Sequence, residues 1–216
     1  MKRILFLVFC VGLITSSCNI VKGGDFKTSD LMLFELKGHV KTLKYNRTDP
    51  YVVTFDENGM VTSCPCYDQS SNFNFKNGKA VGKYFSSNRN AKGQLTKYAY
   101  EPVGNNYWRL DMYEITYNDN GQADTIVHTG WESQSEIKCK YDDKGLCIEE
   151  VEDYYMASIV GKETRTYTYI KFDDNDNWIE RKCKKHNVEW EEDDNLNNKM
   201  ARDEEYVETR TITYYQ

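Results

Sequence analysis

Proline and histidine are scarce in this 216-residue chain, three of each, and basic residues are in deficit: 28 Lys plus Arg face 34 Asp plus Glu, for a net charge of −6. With so few prolines, little interrupts a backbone hydrogen-bond ladder, so most of the sequence is free to form sheet. His39, His128 and His186 are scattered and lack the spacing of a metal-ligand set. The acidic balance argues against a nucleic-acid surface, which needs clustered Lys and Arg to neutralise phosphates. Long apolar runs are missing too. The longest, Ile4 to Ile14, has 11 residues, whereas a membrane-spanning helix needs about 20. No Gly-x-Ser-x-Gly, paired Cys/His or phosphate-cradling glycine loop occurs, which leaves nucleophilic and nucleotide chemistry without support. The expectation is no catalytic residue, no cofactor and no metal site. Carboxylate pairs for glycoside hydrolysis leave no trace in one sequence, so a hydrolase stays as the least favoured reading.

Tyrosine, by contrast, is abundant: 17 residues, in a chain with 14% aromatics and a mean hydropathy of −0.76. A chain this polar and poor in aromatics would be disordered. Tyr, Thr and Val at this density predict strands instead, in one domain.

A short word recurs. Phe55-Asp56-Glu57-Asn58-Gly59, Tyr117-Asn118-Asp119-Asn120-Gly121, Tyr141-Asp142-Asp143-Lys144-Gly145 and Phe172-Asp173-Asp174-Asn175-Asp176 are the clear copies. Phe75-Lys76-Asn77-Gly78 and Asn90-Ala91-Lys92-Gly93 are weaker ones. Two right-handed residues followed by one at positive φ make a three-residue hairpin loop with a bulge. Glycine takes the third position without steric cost, and Asp176 is a tolerable substitute. The leading Asp or Asn can accept hydrogen bonds from backbone N–H groups across the turn. Around Gly121 this turn predicts Asn118 opposite Gln122, Tyr117 opposite Ala123, Ile115 opposite Thr125 and Tyr113 opposite Val127. Tyr113, Ile115, Tyr117, Ala123 and Val127 then share an apolar face, while Glu114, Thr116, Asn118, Asp124, Ile126 and His128 share a polar one. The same rule groups Tyr51, Val53, Phe55 and Val61. Around Asp174 it puts Phe172, Ile170 and Trp178 on one face and Tyr167, Tyr169 and Ile179 on the other, so that hairpin departs from the pattern. Turn spacing varies, which argues against a strict solenoid. The expected fold is all-β: an antiparallel meander of hairpins, coiled or partly closed into a barrel-like sheet. No amphipathic helix is evident. Trp190 to Glu205 reads as a solvated acidic loop, and Val207 to Tyr215 as a closing strand.

At the N-terminus, Lys2 and Arg3 precede the apolar run, and Thr15-Ser16-Ser17-Cys18 follows it. This resembles a bacterial lipobox, which implies a signal peptide over residues 1–17 and lipidation of Cys18. The mature chain would have 199 residues, and losing Lys2 and Arg3 takes its charge to −8. Residues 18–30 are then the lipidated Cys and a tether, and 31–216 the β domain. The implied partner is a membrane, through the lipid anchor. Asn19 after the Cys implies the outer membrane by resemblance to lipoprotein sorting rules. The tether lacks an acidic cluster, which favours a periplasm-facing position.

The recurring word resembles the YD repeat of the Rhs family, with Ile137 to Leu146 the nearest copy. Leu36-Lys37-Gly38-His39-Val40-Lys41-Thr42-Leu43 resembles the opening of small Bacteroidetes lipoproteins, and Phe75 to Lys83 a degenerate MORN-type unit. The resemblance implies hairpin architecture and an envelope location, and it carries no catalytic residue.

Five cysteines remain after Cys18: Cys64, Cys66, Cys139, Cys147 and Cys183. Cys147 should face Tyr141 with Cys139 diagonal to it, near the limit of about 7 Å for a disulfide, so buried thiols are favoured over a bridge. Asp173-x-Asn175-x-Asn177 mimics half a calcium loop, but Trp178 and Lys184 stand where its Gly and Glu belong. Tyr98, Tyr100, Tyr107, Trp108 and Trp131 read as cross-strand packing, or as a surface for stacking sugars. The favoured functional reading is a non-enzymatic binding or scaffold module. A glycan-binding lipoprotein using Trp108 and Trp131 is the alternative, with a protein or glycan partner.

Overall fold

Five copies of the word fold alike, at residues 56–59, 90–93, 118–121, 142–145 and 173–176. In each, the first residue's N–H donates to the fifth residue's carbonyl and the fourth residue's N–H donates back to the first carbonyl, at 2.9–3.1 Å. The fourth residue sits at φ between 58° and 83°, Asp176 included. The leading Asp or Asn Oδ1 accepts from the third and fifth N–H groups at 2.9–3.1 Å. The Gly78 turn is different. Lys76 pairs with Lys79, leaving Asn77 (φ 51°) and Gly78 (φ 74°) as a two-residue turn.

The computed structural model describes residues 26–46, 51–65, 72–104, 110–191 and 199–216. A five-residue helix, α1 (Ser29–Leu33), precedes β1 (Val40–Tyr45), β2 (Val52–Phe55), β3 (Val61–Pro65), β4 (Asn72–Lys76) and β5 (Lys79–Val81). Then come β6 (Phe85–Arg89), β7 (Leu95–Tyr100), β8 (Asp111–Tyr117), β9 (Ala123–Gly130) and β10 (Ser133–Tyr141). The long strands close the chain: β11 (Cys147–Met156), β12 (Ile159–Phe172), β13 (Trp178–Glu191) and β14 (Met200–Tyr214).

All fourteen strands form one antiparallel sheet in the order β5-β4-β3-β2-β1-β14-β13-β12-β11-β10-β9-β8-β7-β6, nearly closed and barrel-shaped. Every strand pairs with its neighbour in sequence except across two seams. At one, β1 pairs with β14, Leu43 opposite Ile212. At the other, β5 and β6 meet through side chains: the Ala80 N–H donates to Ser87 Oγ at 2.8 Å, and Arg89 Nε donates to the Gly78 carbonyl at 2.9 Å. Because the meander alternates direction, the five bulged turns and the Gly78 turn all lie at one end. The C-terminal ends of β1, β3, β5, β7, β9, β11 and β13 lie at the other, the mouth.

Residues 26–38 plug the turn end. Thr28 caps α1, accepting from the Leu31 N–H, while its own hydroxyl donates to the Gly59 carbonyl at 2.6 Å. Leu31 and Leu36 are buried among Val40, Leu43, Val53, Phe55, Val61, Phe73, Phe75, Leu95 and Trp178. Tyr98, Tyr100 and Tyr113 flank this core, Tyr98 stacking on Tyr113 at 4.6 Å and meeting Phe73 edge-on at 4.9 Å. The expected grouping of Tyr51, Val53, Phe55 and Val61 is present here.

Three expectations need correction. Asn118 does face Gln122 and Tyr117 does face Ala123, but a bulge at Thr116/Tyr117 then pairs Ile115 with Ile126 and Tyr113 with His128. His128 therefore turns inward, stacking on Tyr113 at 4.6 Å and meeting Asp111 Oδ1 at 2.8 Å. In the hairpin at Asp174, register shifts beside Lys171 put Trp178 inside with Tyr167 and Tyr169, and leave Ile170 and Phe172 exposed. The acidic segment is not a loop over its described part. Trp190 and Glu191 end β13, and Met200 to Glu208 pair with it. Cross-strand charge makes this possible: Lys182 and Lys184 meet Glu205, and His186 Nδ1 lies 2.6 Å from Asp203.

Candidate functional site

The strands differ in length, and the site follows from that. β1 to β7 have 3–6 residues, while β12, β13 and β14 have 14, 14 and 15. At about 3.3 Å per residue the long wall stands well above the short one. Its inner face above the core is lined by alternate residues of each strand: Glu150 and Glu152 of β11, Glu163, Arg165 and Tyr167 of β12, Arg181 and Lys185 of β13, Tyr206 and Glu208 of β14.

All of these but Glu152, with the Tyr45–Tyr51 pair stacked at 4.7 Å, line a polar cavity of about 380 Å³. Trp178, fully buried, packs behind the lining residues Arg181 and Tyr45. The Arg181 and Arg210 guanidinium carbons lie 4.3 and 3.8 Å from the indole ring, and Arg181 also lies 3.6 Å from the Tyr167 ring. Below the indole, Glu35 of the plug gathers four donors. Its Oε1 accepts from the Cys147 N–H at 2.7 Å and the Tyr169 hydroxyl at 3.0 Å; its Oε2 accepts from Trp178 Nε1 at 3.0 Å and Arg181 at 3.3 Å. Arg210 donates to the carbonyls of Trp178, Phe34 and Glu35. Glu35 holds φ 53°, a strained setting for this residue type that the convergent contacts maintain.

Charge in the cavity is paired. Arg165 meets Glu150 at 3.3 Å, Glu152 at 2.8 Å and also Glu163; Lys185 meets Glu163 at 2.7 Å; Arg181 Nε meets Glu208 at 2.7 Å. Burial works to lower the Arg165 pKa, but Glu150, Glu163 and Glu152 overcome it and raise the value. Burial also opposes Arg181, where Glu35, Tyr167 and Glu208 prevail. The Tyr167 phenol is pushed well above its ordinary range by burial, then by the charge of Glu150, to which it donates at 2.7 Å. The cavity therefore presents guanidinium and phenol donors held in place by their partners.

A second cavity, of about 750 Å³, lies at the turn end between Met32, Glu35 and Lys37 of the plug and the turns at 118–121 and 142–145. Cys139 lines it. Tyr141 does face Cys147, and Cys139 faces Glu150. Cys64, Cys139, Cys147 and Cys183 are free thiols. Cys66 and the lipidation candidate Cys18 lie outside the described residues.

Of the sequence-derived aromatics, Tyr98 and Tyr100 pack inward, and Trp131 stands 47% exposed at the mouth. Tyr107 and Trp108 lie outside the described residues. The turn residues Asp56, Gly59, Gly93, Asn118, Gly121, Asp142, Gly145, Asp173 and Asp176 act structurally. Asn177 is held by Lys37 N–H (2.7 Å), the Lys37 carbonyl and the Tyr214 hydroxyl, so the half calcium loop here is a turn docked on the plug. Sequence reading missed Glu35, Arg165, Arg181 and Glu208. The one available signal was the alternation of charge with Tyr along β12, in which Glu163, Arg165, Tyr167 and Tyr169 are spaced by two. No helix among the described residues is long and apolar enough to cross a membrane. Among known proteins, no family model matches the chain and no curated sequence matches it.

Proposed function

We propose that this chain is a lipid-anchored envelope protein that binds a polar ligand at its mouth without chemically transforming it. The observation that carries the reading is the pairing of every carboxylate lining the mouth cavity: Glu150 with Arg165 and Tyr167, Glu163 with Arg165 and Lys185, Glu208 with Arg181. A general acid needs a carboxyl free to hold and release a proton, whereas fixed ion pairs offer preorganised hydrogen-bonding groups. Lipidation at Cys18 would tether the plug end, since the plug begins at Phe26, and would leave the mouth facing away from an outer-membrane leaflet.

A glycan is the ligand class with specific support. The Tyr45–Tyr51 stack beside charged donors and acceptors, with Trp131 exposed at the rim, suits the apolar faces and hydroxyls of a sugar. Calorimetry with neutral and acidic oligosaccharides tests this, alongside reducing-end analysis after long incubation. The expected result is saturable binding, weakened by Arg165→Met and Trp131→Ala, with no new reducing ends. Release of reducing ends would replace the binding reading with a hydrolase. Absence of binding across the panel would remove the glycan. Metabolic labelling with an alkynyl fatty acid, lost in Cys18→Ala, tests the anchor.

A further inference from the structure

We infer that Cys139, Cys147 and Glu150 form a binding site for a thiophilic divalent cation, zinc being the best match. This site stands apart from the mouth reading and uses the opposite side of Glu150. Cys147 Sγ, Cys139 Sγ and a Glu150 carboxylate oxygen all lie within 4.8 Å of one another. Tetrahedral zinc with Zn–S bonds of about 2.3 Å needs sulfurs about 3.8 Å apart, so a contraction of at most about 1 Å brings the donors onto one ion.

The register builds the cluster. Tyr141 opposes Cys147 and Cys139 opposes Glu150, and the bulge at Lys140/Tyr141 lies between these two pairs. All three donors are on the inner face of a two-strand hairpin whose turn is fixed by four internal hydrogen bonds. The two Glu150 oxygens have divided roles. Oε2 is taken by the Tyr167 hydroxyl at 2.7 Å and by Arg165 at 3.3 Å, whereas Oε1 faces the Cys147 sulfur at 3.9 Å. A carboxylate held this way by its far oxygen is oriented as metal-binding carboxylates are oriented by their outer partners. Tyr141 borders the cluster: its hydroxyl donates to the Ala123 carbonyl at 2.9 Å and also meets Cys139, a contact that zinc binding would replace.

Cys147 is almost fully buried, and Cys139 also lines the 750 Å³ cavity at the turn end. That cavity supplies an entry path and room for a water as fourth ligand. Two sulfurs and one carboxylate with an open position favour zinc over the hard cations magnesium and calcium, which prefer oxygen-only sets. Both thiols must ionise, so binding releases two protons to solvent as two Zn–S bonds form, with no change in oxidation state.

The test uses the full chain, reduced and freed of metal, titrated with Co²⁺ as a spectroscopic probe and with Zn²⁺ in competition. The expected result is one ion per chain with a thiolate-to-cobalt charge-transfer band, displaced by zinc. Cys147→Ser should weaken zinc by about 100-fold or more, and Tyr167→Phe, which removes one of the two partners of the far oxygen of Glu150, by about 10-fold. Cys183→Ser should bind as the parent does, and hydrogen exchange would confirm that each variant is folded. Three outcomes would overturn the site: no charge-transfer band, equal zinc affinity in the Cys139→Ser/Cys147→Ser double variant, or an intact mass two hydrogens lighter that locates a Cys139–Cys147 disulfide in protein unable to take up zinc.

Discussion

The two walls of this barrel are made by the same turn and the same meander, yet their inner faces are opposite in character. The short wall, β1 to β7, turns Leu43, Val53, Phe55, Val61, Phe73, Phe75 and Leu95 inward. The long wall turns Glu150, Glu163, Arg165, Arg181, Lys185 and Glu208 inward above Trp178. Length explains the difference. Where the walls face each other, rings from both sides exclude water and burial of apolar area drives packing. Above the rim of the short wall, the long wall has no opposing surface, so an apolar face would be left in solvent. Paired charges suit that half-wet position, and they give the molecule a ligand-facing surface carried on a rigid base.

The sharpest break in this comparison is Phe73→Ala, at the centre of the short wall and fully buried. It should cost about 3–5 kcal/mol in urea unfolding, with the midpoint falling and the slope unchanged. Next is Glu35→Gln, which joins the walls through the plug: the amide cannot accept all four donors, and a loss of about 1–3 kcal/mol is expected. A loss under 0.5 kcal/mol there would show that the plug adds no strength to the long wall. Gly121→Ala is gentler. Its Cβ would meet only side-chain atoms at 3.5 Å, so the cost, about 1 kcal/mol, is that of holding φ at 82°. Smallest is Lys182→Ala on the outer long wall. Its solvent-exposed pair with Glu205 should leave the urea midpoint unmoved in the same assay.

Turn chemistry was legible because it is local: an aromatic, an Asp or Asn, and a residue able to hold positive φ determine a hairpin within five positions. Strand pairing next to each turn followed directly. The errors arose one or two residues further on, where bulges at Thr116 and Lys171 moved His128 and Trp178 to the inner face. A bulge is chosen by what packs opposite, here Tyr113, Tyr167 and Tyr169, and no local signal announces it. Val207 to Tyr214 was legible as a strand, but the first half of β14, from Met200, was not, for a related reason. Asp203, Glu204 and Glu205 look solvated until Lys182, Lys184 and His186 are laid beside them, about twenty residues earlier in the chain. The plug was missed because five helical residues are too few to show a period. Glu35 and Arg181, which meet across the interior, are 146 residues apart.

Among the described residues, the seam between β1 and β14 is the only ladder that joins strands distant in sequence, with Thr42 and Thr213 hydroxyls 2.6 Å apart across 171 residues. Every other ladder is a hairpin that closes a short loop, so its entropic cost is small. Hairpins are therefore expected to form early and independently, and joining the first strand to the last should be the slow, rate-limiting event. The plug, which needs both walls in place, would lock only after that. A hydrogen-exchange pulse during refolding should find amides of β10 to β13 protected before those of β1.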